Sequence, residues 1–166
     1  MSERILVILR HAKADRPTSV VDVERPLTER GHADAAAAGA WLAARGYQPD
    51  AVLCSPAKRT RQTWHGVAVA LSGSPEAQVR YAESLYYGGV TQALELVRQL
   101  PDSTRVALLV GHNPTVSMLS ATLRAAGGQD SDGLRTSGIA VHAHDGEWAG
   151  YEPGAAALVA THTARA

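Results

Sequence analysis

The chain predicts an α/β fold: a three-layer α/β/α sandwich with a mainly parallel central sheet, helices on both faces and a C-terminal hairpin. Three observations carry this. Ile5–Leu9 and Val106–Val110 are unbroken apolar runs rich in Val, Ile and Leu, the pattern of strands buried on both faces of a parallel sheet. Strand-like runs alternate with helical patterns along the chain, the order produced by crossover helices. Asp145-Gly146 sits between two short apolar stretches and reads as a hairpin turn. A length of 166 residues predicts one domain spanning the whole chain, and allows about 70% of the unfolded surface to be buried.

The elements follow in order. Ile5–Leu9 is the first strand and runs into Arg10-His11. The proline-punctuated stretch from Arg16 to Pro26 is a loop. Thr28 can cap a helix reaching about Ala44, with Ala35, Ala38 and Leu42 inward and Gly46 past its end. Ala51–Cys54 is a short buried strand. Ser55-Pro56 opens a second helix, Ser55 as N-cap and Pro56 in first position. It extends to about Leu71, with Ser72-Gly-Ser-Pro75 ending it. Val79–Tyr81 is a third strand and Glu83–Val90 a loop with aromatics. Thr91–Leu100 is an amphipathic helix stopped by Pro101. After Val106–Val110, Gly111-His112-Asn113-Pro114 repeats the strand-to-helix logic, with Asn113 as cap. That helix ends near Gly127-Gly128. Gly138–His144 and Glu147–Tyr151 pair as the hairpin, and Ala156–Thr161 adds a last strand.

Sixteen basic and sixteen acidic residues balance to zero formal charge. This argues against broad binding to nucleic acid or membranes while leaving room for one local basic pocket. There is no Phe, so Val, Leu, Ile and Ala must build the core. The single cysteine, Cys54, excludes an intrachain disulfide and suits a reducing compartment. No apolar stretch reaches the length of a membrane-spanning helix, and the start of the chain is too strand-like for a signal peptide. A cytoplasmic monomer is expected.

Three predicted strands end in polar groups: Arg10-His11, Ser55 with Arg59, and His112. In open α/β sheets the ligand site lies beyond the carboxyl ends of the strands. Ser55, Arg59 and Thr63 recur every four residues and share a helix face. Two of the three sites open helices, whose free N–H groups and dipole favour an anion, and arginine presents a planar fork to phosphate oxygens. Taken singly, each element is as well explained by a solvated Arg-His pair or an ordinary cap. Three at successive strand ends ask for a phosphoryl group.

Arg10-His11, Ser55-Pro-Ala-Lys-Arg59-Thr-Arg-Gln-Thr63 and Gly111-His112-Asn-Pro114 resemble the signature of the histidine phosphatase (phosphoglycerate-mutase-like) superfamily. Leu27-Thr-Glu-Arg-Gly31 resembles another of its segments. The Arg-His-Ala-Lys start, the Arg25-Pro-Leu-Thr segment and the small size are most similar to SixA-type phosphohistidine phosphatases. The resemblance implies that His11 is the nucleophile that becomes phosphorylated, that Arg10 and Arg59 hold phosphoryl oxygens, and that His112 is the second histidine of the pocket. Ser55 is a further candidate for phosphate binding. Many superfamily members carry Gly where this chain has Ala12. Glu83-Ser-Leu-Tyr-Tyr-Gly88 loosely matches the segment that often holds the general acid, so Glu83 is either a proton donor or a surface carboxylate. Asp34 stands where the family often has Gln.

The chemistry is coherent without the name. A neutral imidazole is a good nucleophile at pH 7. Two guanidiniums and a second imidazole can hold the charge that builds on the equatorial oxygens, so neither metal nor cofactor is expected. The segment between Glu83 and Gly111 is too short for a lid that would enclose a small metabolite, which favours phosphohistidine on a protein substrate. The alternatives are a broad phosphomonoesterase for small molecules and, from another class, a non-catalytic phosphate-binding module, against which the His11–His112 pair argues. Other signals are set aside. The spacing from Cys54 to Arg59 does not fit a cysteine phosphatase, and Cys54 reads as a buried strand residue. His142 and His144 could bind metal, but an exposed hairpin pair is the simpler reading. His32, His65 and His162 read as surface residues, and Ser117 and Ser120 lie within a helix.

Overall fold

The computed structural model describes residues 3–71, 76–124 and 133–166. Its six strands form one sheet. They are β1 (Glu3–Arg10), β2 (Ala51–Cys54), β3 (Gln78–Tyr81), β4 (Val106–Gly111), β5 (Gly138–Asp145) and β6 (Ala157–Thr163). Their order is β3-β2-β4-β1-β5-β6. The β3-β2, β2-β4 and β4-β1 pairings are parallel, and β1-β5 and β5-β6 antiparallel. The expected mainly parallel sheet with a C-terminal hairpin is therefore present.

The apolar run of β1 is split between two cores. Leu6 and Ile8 join one cluster, with Leu53, Leu109, Val97, Leu119 and Leu123. Val7 and Leu9 join the other, with Val52, Val110, Leu42 and Val67. This is what an uninterrupted apolar strand requires, since successive side chains point to opposite faces. Helices α1 (Glu29–Arg45) and α2 (Lys58–Ala70) cover one face, and α4 (Val90–Arg98) and α5 (Thr115–Leu123) the other. The short helix α3 (Ser84–Tyr87) precedes α4, within a stretch expected to be loop.

Helix α1 forms as its sequence dictates. The Thr28 side chain accepts from the Gly31 N–H, Gly46 takes the left-handed conformation at φ 75°, and Ala35, Ala38 and Leu42 are fully buried. Helix α2 starts at Lys58 rather than beside Ser55, because the Ser55 hydroxyl is drawn into a tight turn where it accepts from the Ala57 N–H at 3.3 Å. The expected terminators Ser72–Pro75 and Gly127-Gly128 lie outside the described residues.

Two expectations are corrected near the C-terminus. The second hairpin strand is β6, not Glu147–Tyr151. That segment instead makes a 3₁₀ turn at Trp148–Gly150, which sends Trp148 and Tyr151, three residues apart, inward as a stacked pair 5.0 Å between centroids. Residues i and i+3 eclipse in a 3₁₀ turn, and both polar tips find carbonyls, Trp148 Nε1 donating to Thr104 O and Tyr151 Oη to Arg4 O. His142 is not exposed. It is fully buried, hydrogen-bonded to Ser120 Oγ at 2.8 Å and to Ala156 O at 3.1 Å, and burial lowers its pKa. His32, His65 and His162 are exposed.

The Leu27-Thr-Glu-Arg-Gly31 segment braces the chain just beyond His11. Thr28 N and Thr28 Oγ1 both donate to Lys13 O, at 2.9 and 3.3 Å, and Gly31 packs against the same carbonyl. A Cβ on Gly31 would lie 2.1 Å from Lys13 O, inside any tolerable contact. Gly31→Ala is therefore expected to cost several kcal/mol, as buried overpacking does. Denaturant unfolding would check this, an unchanged midpoint counting against the brace.

Candidate active site

The carboxyl ends of β2, β4 and β1 lie side by side: Cys54 pairs with Val110 and Arg10 with Gly111. The three polar groups expected there are thus delivered to one edge, where a cleft of about 330 Å³ opens. It is lined by Arg10, His11, Arg59 and His112 and by the flanking Lys13, Arg16, Asp22, Arg25 and Asn113. That volume is at the small end of the range for small-molecule sites.

His11 is 8% exposed. Its Nδ1 lies 2.7 Å from Ala12 O. A carbonyl can only accept, so the ring hydrogen is on Nδ1 and Nε2 keeps its lone pair. Burial is the main cause that pushes the His11 pKa down to about 3, with a backbone bond opposing it and His112, Arg59 and Arg10 adding to it. His112, 5.4 Å away between ring centroids, is lowered to about 4, again chiefly by burial and then by Arg59. Both imidazoles are neutral at pH 7. The backbone beneath them is fixed from several directions. Ala12 N donates to Thr63 Oγ1 at 2.9 Å, and Thr63 Oγ1 donates to Arg59 O at 2.7 Å. Ser137 N donates to both Arg10 O and His11 O, at 3.2 and 3.1 Å.

Arg59 is buried to 6% exposure and its guanidinium is clasped by Asp22, which opens a 3₁₀ turn at Asp22–Glu24. Its Nη1 donates to Asp22 O at 2.8 Å and its Nη2 to Asp22 Oδ2 at 3.1 Å. Asp22 Oδ2 also accepts from Tyr86 Oη at 2.5 Å, and Arg25 reaches Asp22 Oδ1 at 3.1 Å. The Tyr86 hydroxyl first, then Arg25 and Arg59, hold the Asp22 carboxyl well below the usual carboxylate range. The Tyr86 ring stands edge-on to His112 at 5.6 Å. Neither Asp22 nor Tyr86 was picked out by sequence reasoning; no short-range pattern marks them.

Three buried nitrogens here lack a protein partner: the donors Arg10 Nε and Arg59 Nε, and His112 Nδ1. Buried polar atoms are ordinarily satisfied, so these are set for a group from outside. With the bare Nε2 of His11, they offer a nucleophile beside oxyanion donors.

Ser55 is close to the site but does not line it. It is fully buried, and its Oγ is 2.8 Å from His112 Nε2, so it orients the second histidine rather than facing the cleft. Glu83 is exposed at the start of α3 and is not among the lining residues; what α3 brings to the site is Tyr86. Cys54 is buried with its thiol pushed up to about 12 by burial, as unreactive as its strand position suggested. Asp34, buried to 2% exposure, lies away from the cleft, where its Oδ1 accepts from Ala166 N at 2.9 Å. Among the described residues no group of three or more His, Cys, Asp or Glu is placed to hold a metal ion, and no helix is long and apolar enough to cross a membrane.

Comparison with known proteins places the chain in a family. The profile of the histidine phosphatase superfamily (branch 1) matches residues 6–88. An uncharacterized protein of Mycobacterium tuberculosis is 41% identical over 164 residues, covering 95% of this chain and all of its own length. The SixA protein of Nakamurella multipartitia superposes with a TM-score of 0.83 at 35% identity, covering 99% of this chain and 98% of that one. A protein histidine phosphatase SixA in complex with tungstate does so at 0.79 and 25% identity, covering 96% of each chain. The chain belongs to the histidine phosphatase superfamily. It is a phosphatase with SixA-like relatives, and its substrates are phosphorylated compounds.

Proposed function

We propose that the chain is a single-domain, metal-independent phosphohistidine phosphatase that acts on protein substrates through a phosphorylated His11. The observation that carries the reading is the His11 ring: the Ala12 carbonyl fixes the proton on Nδ1, and Nε2 is left bare beside the unpartnered nitrogens Arg10 Nε, Arg59 Nε and His112 Nδ1. Nε2 attacks phosphorus as the bond from phosphorus to the leaving nitrogen breaks, and a substrate imidazole already protonated on its other ring nitrogen departs as the neutral ring, so no proton is drawn from the cleft. Arg10, Arg59 and His112 hold the three equatorial oxygens. Ser55, donating to His112 Nε2, keeps a hydrogen on Nδ1 for this purpose. Water then attacks the phosphohistidine, releasing phosphate and restoring the neutral ring.

The choice of leaving group rests on the acids present. Asp22 is the one carboxylate among the lining residues, and it is held ionised by Tyr86, Arg25 and Arg59, so it has no proton to give. Glu83 is exposed away from the lining. An alkoxide leaves slowly without a general acid, whereas imidazole leaves readily. The protein histidine phosphatase SixA that holds tungstate, an oxyanion of phosphate-like shape, is similar over nearly the whole chain and supports the same substrate class. A cytoplasmic monomer with no nucleic-acid or membrane partner completes the reading, consistent with zero formal charge.

The test is kcat/KM on a phosphohistidine protein against a panel of alkyl phosphate metabolites. The phosphohistidine protein is expected to lead by about 10²-fold or more, the size of the missing general-acid contribution. Preference for one metabolite ester by about 10³-fold would establish a small-molecule phosphomonoesterase instead.

A further inference from the structure

The cleft holds more positive charge than one phosphoryl group can use. Its walls carry five cations, Arg10, Lys13, Arg16, Arg25 and Arg59, and a single carboxylate, Asp22. Both cleft histidines are neutral at pH 7. A phosphoryl dianion and Asp22 together offset three of the five charges. Asp22 is bonded to both Arg25 and Arg59, and Arg10 Nη1 donates to Leu134 O at 3.2 Å beside its free Nε. The surplus thus falls on Lys13 and Arg16, whose side chains have no carboxylate within ion-pair distance among the described residues. Such local excess is notable in a chain whose formal charge is zero.

The backbone that presents these two residues is fixed. Lys13 O is held by Thr28, and Ala14 forms an isolated β-bridge to Leu27. Asp15 N donates to Pro26 O at 2.8 Å and Asp15 O accepts from Arg25 Nε at 2.9 Å. Lys13 and Arg16 are therefore exposed cations presented to the cleft from a held backbone segment, a few residues from the nucleophile. Clustered charge of one sign lining a cleft selects for complementary charge in the ligand.

We infer that Lys13 and Arg16 form a second anion subsite, so that preferred substrates carry a further anionic group close to the phosphoryl. This deepens the phosphatase reading by naming a feature of its substrates. The second anion is either a carboxylate, as an acidic residue beside a phosphorylated side chain would supply, or a second phosphate.

Phosphonates test this without any turnover, so the result does not depend on which leaving group the enzyme prefers. Dissociation constants are measured by calorimetry for methylphosphonate, 3-phosphonopropionate, 4-phosphonobutyrate and propane-1,3-bisphosphonate. At low salt, one or both kinds of second anion should tighten binding by about three- to tenfold over methylphosphonate, the scale of one or two partly exposed ion pairs. The carboxylate arm alone points to acidic flanking residues, and the bisphosphonate arm alone to a second phosphate. In Lys13→Gln/Arg16→Gln the advantage should fall to near unity, and in Lys13→Arg it should persist, which separates charge from folding. No advantage in the unmodified protein, or an advantage that survives the double glutamine variant, would overturn the subsite whatever the outcome of the phosphohistidine assay.

Discussion

His11→Ala is expected to abolish turnover on every substrate, leaving less than about 10⁻⁴ of the rate, because it removes the atom that forms the bond to phosphorus. The loss should appear in kcat and not as a binding defect. Arg10, Arg59 and His112 would remain in place, since His11 accepts no hydrogen bond from them. Rapid alkali quench with a labelled donor gives the second readout. The unmodified protein should yield an alkali-stable, acid-labile phosphoprotein, and the variant none. A non-catalytic phosphate-binding module would bind oxyanion equally well with either residue and give no phosphoprotein. A His11→Ala variant that still turned over at full rate would place the nucleophile elsewhere and remove the basis of the proposed mechanism.

Much of this site is legible in the sequence because it is built from strand ends. Ile5–Leu9 and Val106–Val110 declare buried strands by composition alone, and whatever follows them falls at the carboxyl edge of the sheet. His11 and His112 are placed by that rule. Helix α1 was equally plain, its cap, its inward alanines and its final glycine each having a local physical cause. What could not be read depends on partners far apart in sequence. Asp22 meets Arg59 across 37 residues and Tyr86 across 64, from a polar loop without periodicity. Ser137 reaches the Arg10 and His11 carbonyls from the far side of α5, in a left-handed conformation at φ 58° that serine does not advertise. Ser55 shows a subtler failure. Its position beside the site was right, but a hydroxyl at a strand end can face a ligand or a neighbouring ring, and only tertiary packing decides that it serves His112. The burial of His142 and the inward turn of Trp148 and Tyr151 were missed for a related reason. Alternation marks which residues share a face, yet whether a face is covered depends on the helix that arrives over it, α5 through Ser120 for His142 and α4 beside the Trp148 turn.

Arg59→Ala is expected to be the most damaging substitution after that of His11, costing about 10²–10³-fold in kcat/KM, and more than removal of a phosphoryl ligand alone would. The loss of an oxyanion donor in a dry site accounts for about 10²-fold. The remainder arises from Asp22. In the intact protein its carboxylate is bonded to the Arg59 guanidinium at 3.1 Å, so its charge is largely spent. With Arg59 gone, Asp22 stays ionised through Tyr86 and Arg25 and lies unopposed on the cleft wall, repelling the incoming dianion. The two contributions are separable. Asp22→Asn placed on the Arg59→Ala background should recover part of the lost activity, by about three- to tenfold at low salt, and the recovery should shrink as ionic strength rises, since a half-exposed charge is readily screened. Asp22→Asn in the otherwise intact protein should act in the opposite direction, loosening the clasp on Arg59 and lowering kcat/KM. Such a sign reversal between the two backgrounds is the mark of a direct coupling between the residues. Arg59→Ala kinetics unaffected by Asp22→Asn would show that the carboxylate positions the arginine and does nothing more.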